Sequence, residues 1–149
     1  MGFQQIIMIL LSVIIIGASI TISIVMFDKQ SDNSVRQIIS SEIQHYSVAA
    51  QGFWRTVRMT GGAGGELKEE DTPRIAKYID TNAIDNNITT QNGKYEIKII
   101  DISKGNIEIR AESISNPEIK LRAKVNLANM PYDTGLEAIT IDMFWDGNE

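Results

Sequence analysis

The chain has 149 residues, no cysteine and a formal charge of −5. Its length suits one domain or two small ones, and the lack of cysteine excludes disulfides, thiol chemistry and cysteine-ligated metals. Residues 60–149 carry 16 acidic and 10 basic side chains, a net of −6, which argues against a nucleic-acid surface there.

Residues 1–27 contain no charged side chain, and Ile6 to Phe27 is almost wholly apolar. Crossing the hydrocarbon core takes about 20 such residues, so 1–27 is expected to be an apolar transmembrane or filament-core helix. A cleaved secretory signal fits less well. Signals have a basic n-region and an apolar core of about 7–15 residues, whereas the first basic side chain here is Lys29, after the run. A helix buried in a soluble core fits worse still, because too little chain follows to surround it. Gly17 with Thr21 and Ser19 with Ser23 are small residues four apart, the spacing that lets helices approach closely in lipid. They are the candidates for helix–helix packing, although membrane helices contain Gly and Ser for no such reason as well.

Residues 28–59 change character without a break. Val35, Ile39, Ile43, Tyr46, Ala50, Phe53 and Val57 recur at steps of three and four, which is a helical stripe. Asp32, Arg36, Gln37, Ser40, Gln44 and Arg55 occupy the other sides. The spacing predicts one helix from about Phe3 to Met59, with Gly52 and Asp28–Asn33 as the points where it would bend. Residues 60–72 form a glycine-rich segment with Gly61, Gly62, Gly64 and Gly65, expected to be a flexible loop. A phosphate-binding loop is excluded by the missing GK[ST] pattern and by the preceding helix.

The region 73–149 reads as a short helix followed by strands. Thr72 suits the N-cap and Pro73 the first helical position, with Ile75, Tyr78 and Ile79 apolar and an end near Asp85–Asn87. Tyr95, Ile97 and Ile99 alternate with polar residues. So do Ile107, Ile109 and Ala111; then Ile119, Leu121, Ala123, Val125 and Leu127; then Ile139, Ile141 and Met143. Ser103–Asn106 and Ser115–Pro117 read as turns, and Asn129–Gly135 as a loop. Period-2 runs between turns predict an antiparallel sheet with one apolar face. The helical stripe at 35–57 is its natural cover, with Trp54 and Trp145 as large aromatics over the helix–sheet core. The fold class is therefore α+β.

A continuous apolar N-terminal helix, its amphipathic extension and a small polar sheet domain together resemble a type IV pilin-like protein. In that family the mature chain begins with an apolar, often phenylalanine-led helix released by cleavage after glycine, and Gly2-Phe3-Gln4-Gln5-Ile6-Ile7 resembles that junction. Tyr46–Trp54 with the later Gly61–Gly65 run is similar to pilin-like proteins with a glycine-rich loop after the long helix. The pattern differs in two places. No basic leader stands before Gly2, and the fifth position, usually glutamate, is Ile7 counted from Phe3 or Gln5 counted from Met1. The resemblance implies a structural subunit anchored in the inner membrane and assembled, with copies of itself and the pilus assembly machinery, into an extracellular filament. It implies processing at Gly2–Phe3 and methylation of the new terminus. The alternatives are a minor pilin or pseudopilin-like part of a secretion or uptake machine, and a membrane-anchored sensor or anchor that never polymerises.

Residues that could carry chemistry are few. His45 with Glu42 is a conceivable base pair, but a helix-surface histidine is the more economical reading. Asp142, Asp146, Asn148 and Glu149 lack the calcium-loop pattern. Asn87-Ile88-Thr89 matches the N-glycosylation acceptor. No catalytic, metal or cofactor residue is assigned. The chain is expected not to be an enzyme, and to take neither nucleic acid nor a small-molecule substrate.

Overall fold

The computed structural model describes residues 2–128, 139–143 and 145. The expected loop at Asn129–Gly135 lies outside them, as do Met1, Asp146, Asn148 and Glu149. The order is a long helix α1 (Gly2–Arg55), a 3-10 turn (Arg58–Thr60), a short helix α2 (Asp71–Ile79), and strands β1 (Asn87–Thr89), β2 (Gly93–Asp101), β3 (Asn106–Ser113), β4 (Lys120–Asn126) and β5 (Ile139–Asp142). The chain divides into two compact units, residues 1–34 and 35–149.

In the second unit the strands form one antiparallel sheet in chain order, β1-β2-β3-β4-β5. Register follows the alternation seen in the sequence. Tyr95 pairs with Ala111, Ile97 with Ile109 and Ile99 with Ile107. Ile107 pairs with Val125, Ile109 with Ala123 and Ala111 with Leu121. Because pleated side chains alternate between faces, these pairs put the apolar set on one side. Ile97, Ile107, Ile109, Leu121 and Ala123 are completely buried.

The C-terminal part of α1 covers that face. Ile39, Ile43, Ala50 and Phe53 are completely buried, Tyr46 is nearly so, and Val35 and Trp54 pack at the margin. Tyr46 meets Tyr95 of β2 edge-on, with ring centroids 4.9 Å apart, a favourable aromatic geometry. Buried apolar area of this kind is the main favourable term in the unit, at about 25 cal/mol per Å². The resulting architecture is α+β: a long N-terminal helix, apolar at its start, packed through its later turns on a five-stranded antiparallel sheet, as in pilins.

Three expectations are corrected. α1 ends at Arg55 rather than Met59, so Val57 leaves the stripe and is 63% exposed. The helix stops because the chain turns back on itself: Ala63 N–H donates to Phe53 O at 2.9 Å and Gly65 N–H to Trp54 O at 3.0 Å. These bonds satisfy carbonyls that a helix end leaves without partners. The glycine segment, a loop as expected, thus also caps the end of α1. Gly61, Gly64 and Gly65 hold positive φ, and a Cβ on Gly62 would lie 2.1 Å from the Thr56 carbonyl oxygen.

α2 begins at Asp71, not after a Thr72 cap, and ends at Ile79. Pro73 falls within its first turn, where a missing N–H costs nothing. Asp80 ends the helix in extended conformation and accepts the Asn82 N–H at 2.9 Å, a local turn that competes with further helix. Lastly, Trp145 is not on the core side. It stands within 5.2 Å of the Arg110 guanidinium and 5.5 Å of Arg122, side chains that alternate outward from the buried Ile109 and Ala123.

Candidate functional site: an exposed apolar helix and a clamped head

In the first unit, residues 3–27 of α1 bury no side chain within the chain. Phe3 is 79% exposed, and Met8, Ile9, Ile14, Met26 and Phe27 are each more than half exposed. An apolar surface of this extent has no stable place in water. α1 is long and apolar enough to cross a membrane.

The hydroxyls of this stretch are satisfied locally. Ser12 donates to Met8 O at 2.8 Å, Ser19 to Ile15 O at 2.8 Å, Thr21 to Gly17 O at 3.1 Å and Ser23 to Ser19 O at 2.7 Å. With the hydroxyl hydrogens returned to the helix's own backbone, these side chains can face hydrocarbon without an orphaned donor. The four candidate packing residues, Gly17, Ser19, Thr21 and Ser23, are all exposed. Ser19 and Ser23 line a shallow open furrow on the helix surface together with Ile16, Ile20, Ile24, Phe27 and Asp28. At the candidate junction, Gly2 has open space around its Cα and Phe3 is exposed. Gln4, Gln5 and Ile7 are exposed as well.

The second unit, residues 35–149 and called the head from here on, contains two polar clamps that periodicity did not reveal. Glu42 lies on α1, and its carboxylate accepts hydrogen bonds from the Tyr95 hydroxyl, from Asn92 Nδ2, and from Thr90 Oγ1 at 3.3 Å. This ties the helix to the β1–β2 hairpin. Burial first, and then the Glu42 hydrogen bond and charge, hold the Tyr95 phenol well above its ordinary range. Tyr46 is pushed up by burial and, secondarily, by Glu42 and Asp80. His45 is the helix-surface residue expected, exposed with its ring edge-on to Tyr46 at 5.9 Å, while the Glu42 carboxylate is committed to the hairpin.

The second clamp is Asp71, completely buried. It accepts from Arg74, from Arg58 Nη2 at 3.1 Å and from the Lys68 N–H at 2.9 Å. Arg58 also donates to Glu66 O at 2.9 Å, and Arg74 to Gly61 O and Gly62 O at 3.3 and 3.2 Å. One carboxylate therefore organises both ends of the glycine-rich segment. Its signal in the sequence was an aspartate one residue before a Thr-Pro helix start, between two arginines whose spacing said nothing of their convergence.

On the outer face, Arg110 and Arg122 sit directly opposite each other. Like charges across a ladder repel. Glu108 pairs with Arg110, Asp142 with Arg122 at 3.4 Å, and the Trp145 ring lies beside both cations. Asp142 is thereby engaged in an ion pair. Among the described residues no group of three or more His, Cys, Asp or Glu could hold a metal ion.

These features give a pilin-like arrangement of helix and sheet, with a long apolar N-terminal helix consistent with membrane association. No family model matches the chain, no curated protein matches it, and no solved structure matches it.

Proposed function

We propose that the protein is a structural, non-enzymatic subunit of an extracellular filament of the type IV pilus kind. It polymerises through the apolar first half of α1 and presents the sheet domain to water. The observation that carries this reading is the exposed apolar stretch 3–27 followed, on the same helix, by turns that close the core of a small domain. Lipid covers such a stretch before assembly. Copies of the same helix cover it afterwards, in head-to-tail contacts that do not close into a ring. The self-satisfied hydroxyls allow both environments, and the Ser19–Ser23 furrow offers a neighbouring helix a close approach.

Lacking a carboxylate at the fifth position, the subunits would register by packing and neutral hydrogen bonds from Gln4 or Gln5. The inner membrane and an assembly machinery are the partners this reading requires, and processing at Gly2–Phe3 with methylation of Phe3 belongs to it. A minor or pseudopilin-like subunit would share every one of these features and differ in abundance.

The test is electron microscopy and intact-mass analysis of sheared surface material from cells that express the chain. Filaments in which this chain dominates, with a mass lacking Met1-Gly2, are expected. Expressing cells that yield no filament containing the chain would refute the proposal and favour a non-polymerising anchor.

A further inference from the structure

The geometry points to Asn87 as an N-glycosylation site whose first sugars lie in the polar groove on the outer face of the sheet. The inference rests on the part of the proposed function that puts the head beyond the membrane.

Asn87-Ile88-Thr89 is the whole of β1, the terminal strand of the sheet. Its burial alternates: Ile88 is completely buried, while Asn87 and Thr89 are exposed. The pleat therefore presents the acceptor amide and the hydroxyl two residues on together, on the face away from the core. Ile88 anchors the strand opposite Tyr95, with Asn87 opposite Glu96 and Thr89 opposite Lys94. The backbone N–H and carbonyl of Asn87 are satisfied by Ile84 at 2.9 and 3.0 Å. The side-chain amide is thus the group left at the surface, where its Nδ2 donates to Asn86 Oδ1 at 3.1 Å.

A second observation is independent of the motif. Asn87 stands in the lining of an open polar groove of about 300 Å³, with Lys94, Glu96, Arg110 and Glu112 along it and Trp145 also in the wall. Charged hydrogen-bonding groups of this kind are what saccharide hydroxyls are held by. A glycan on Asn87 would begin in the groove suited to it. It would also shield a terminal strand from pairing with another chain, the hazard that sheet edges carry.

The modification is a transfer from a polyprenyl-phosphate-linked saccharide by a membrane oligosaccharyltransferase. The Asn87 nitrogen bonds the anomeric carbon, the anomeric carbon–phosphate oxygen bond breaks, the lipid phosphate leaves, and the amide nitrogen gives up one proton. No oxidant or reductant is involved.

The test uses the full chain isolated from the membranes or filaments of the cells that naturally make it. Tryptic cleavage after Lys77 and Lys94 releases the peptide 78–94, which contains the site. Mass spectrometry is expected to find this peptide with an added saccharide mass localised to Asn87. N87Q and T89A should each abolish the added mass, and T89S should retain it. Peptide at the bare polypeptide mass alone would overturn the inference, as would an added mass that persists in N87Q. Filaments are scored on the same preparation. Filaments of unmodified chains would sink this site and leave the proposed function standing, whereas modified chains that never assemble would do the reverse.

Discussion

The Glu42 carboxylate of α1 accepts the phenolic hydrogen of Tyr95 on β2, 53 residues further along the chain. Tyr95 is 1% exposed, so this one bond joins the long helix to the sheet through a group that water cannot reach. Removing the acceptor should cost more than removing the donor. Glu42→Ala would take the carboxylate acceptor from the buried Tyr95 hydroxyl and from Asn92, for about 2–3 kcal/mol. Tyr95→Phe leaves Glu42 its other donors and should cost about 1–2 kcal/mol. Denaturant unfolding of the detergent-solubilised chain, followed by head fluorescence, would rank the two. Equal stability of both variants and wild type would show the bond to be inconsequential.

The same pair sets an alkaline limit. The folded-state pKa of Tyr95 is raised above its unfolded value, about 10, first by burial and then by Glu42. The associated stability is present below pH 10 and is lost as pH rises beyond it, since the unfolded chain can release a proton that the folded one retains. Unfolding free energy should fall more steeply between pH 10 and 11 in wild type than in Tyr95→Phe. Parallel pH profiles would exclude Tyr95 as the group responsible.

Glycines in the cap should not be equivalent. At Gly62 an added Cβ meets the Thr56 carbonyl oxygen at 2.1 Å, whereas at Gly61 it meets nothing within 4 Å and only the positive φ opposes it. Gly62→Ala is expected to cost more than about 3 kcal/mol, as a backbone clash inside a cap must displace the loop. Gly61→Asn should cost about 1 kcal/mol or less, because asparagine tolerates the left-handed region. Limited proteolysis in the 56–70 segment reads the difference; similar resistance in both would mean that the segment adjusts freely.

Asp71→Asn removes a buried charge from between Arg58 and Arg74. Breaking one side of a buried ion pair costs about 3–5 kcal/mol, and the two arginines are each about a third exposed, so a loss near 2–3 kcal/mol is expected. It should appear as faster cleavage between residues 58 and 74 with the strands still protected. Uniform loss of protection across the head would assign Asp71 to the global core instead.

Ser19→Leu with Ser23→Leu would fill the furrow on the apolar half of α1. Lipid accommodates larger side chains readily, whereas a close helix crossing does not. The double variant should insert into membranes and keep a protease-resistant head, but yield few filaments or filaments of altered spacing. Wild-type yield and spacing would move the assembly contacts to the other faces of the helix or to the head.

Much of this architecture is local, and the sequence by itself determined it. The charge-free run to Phe27, the three-and-four spacing from Val35 to Phe53 and the alternation of Ile107 to Ala111 and Ile119 to Leu127 each report a periodicity that one element imposes on its own residues. β1 was not legible, because three residues carry too little alternation to stand apart from the polar stretch around them. The tertiary structure alone decided the rest. α1 ends before Val57 because a loop ten residues later supplies donors to its last carbonyls, and no pattern within the helix encodes that return. Glu42 and Asp71 became clamps only when partners distant in sequence converged on them. Trp145 went to the outer face because Arg110 and Arg122, brought opposite each other by strand register, gather there. Periodicity tells a residue which side of its own element it occupies; which groups wait on that side is settled by the other elements packed against it.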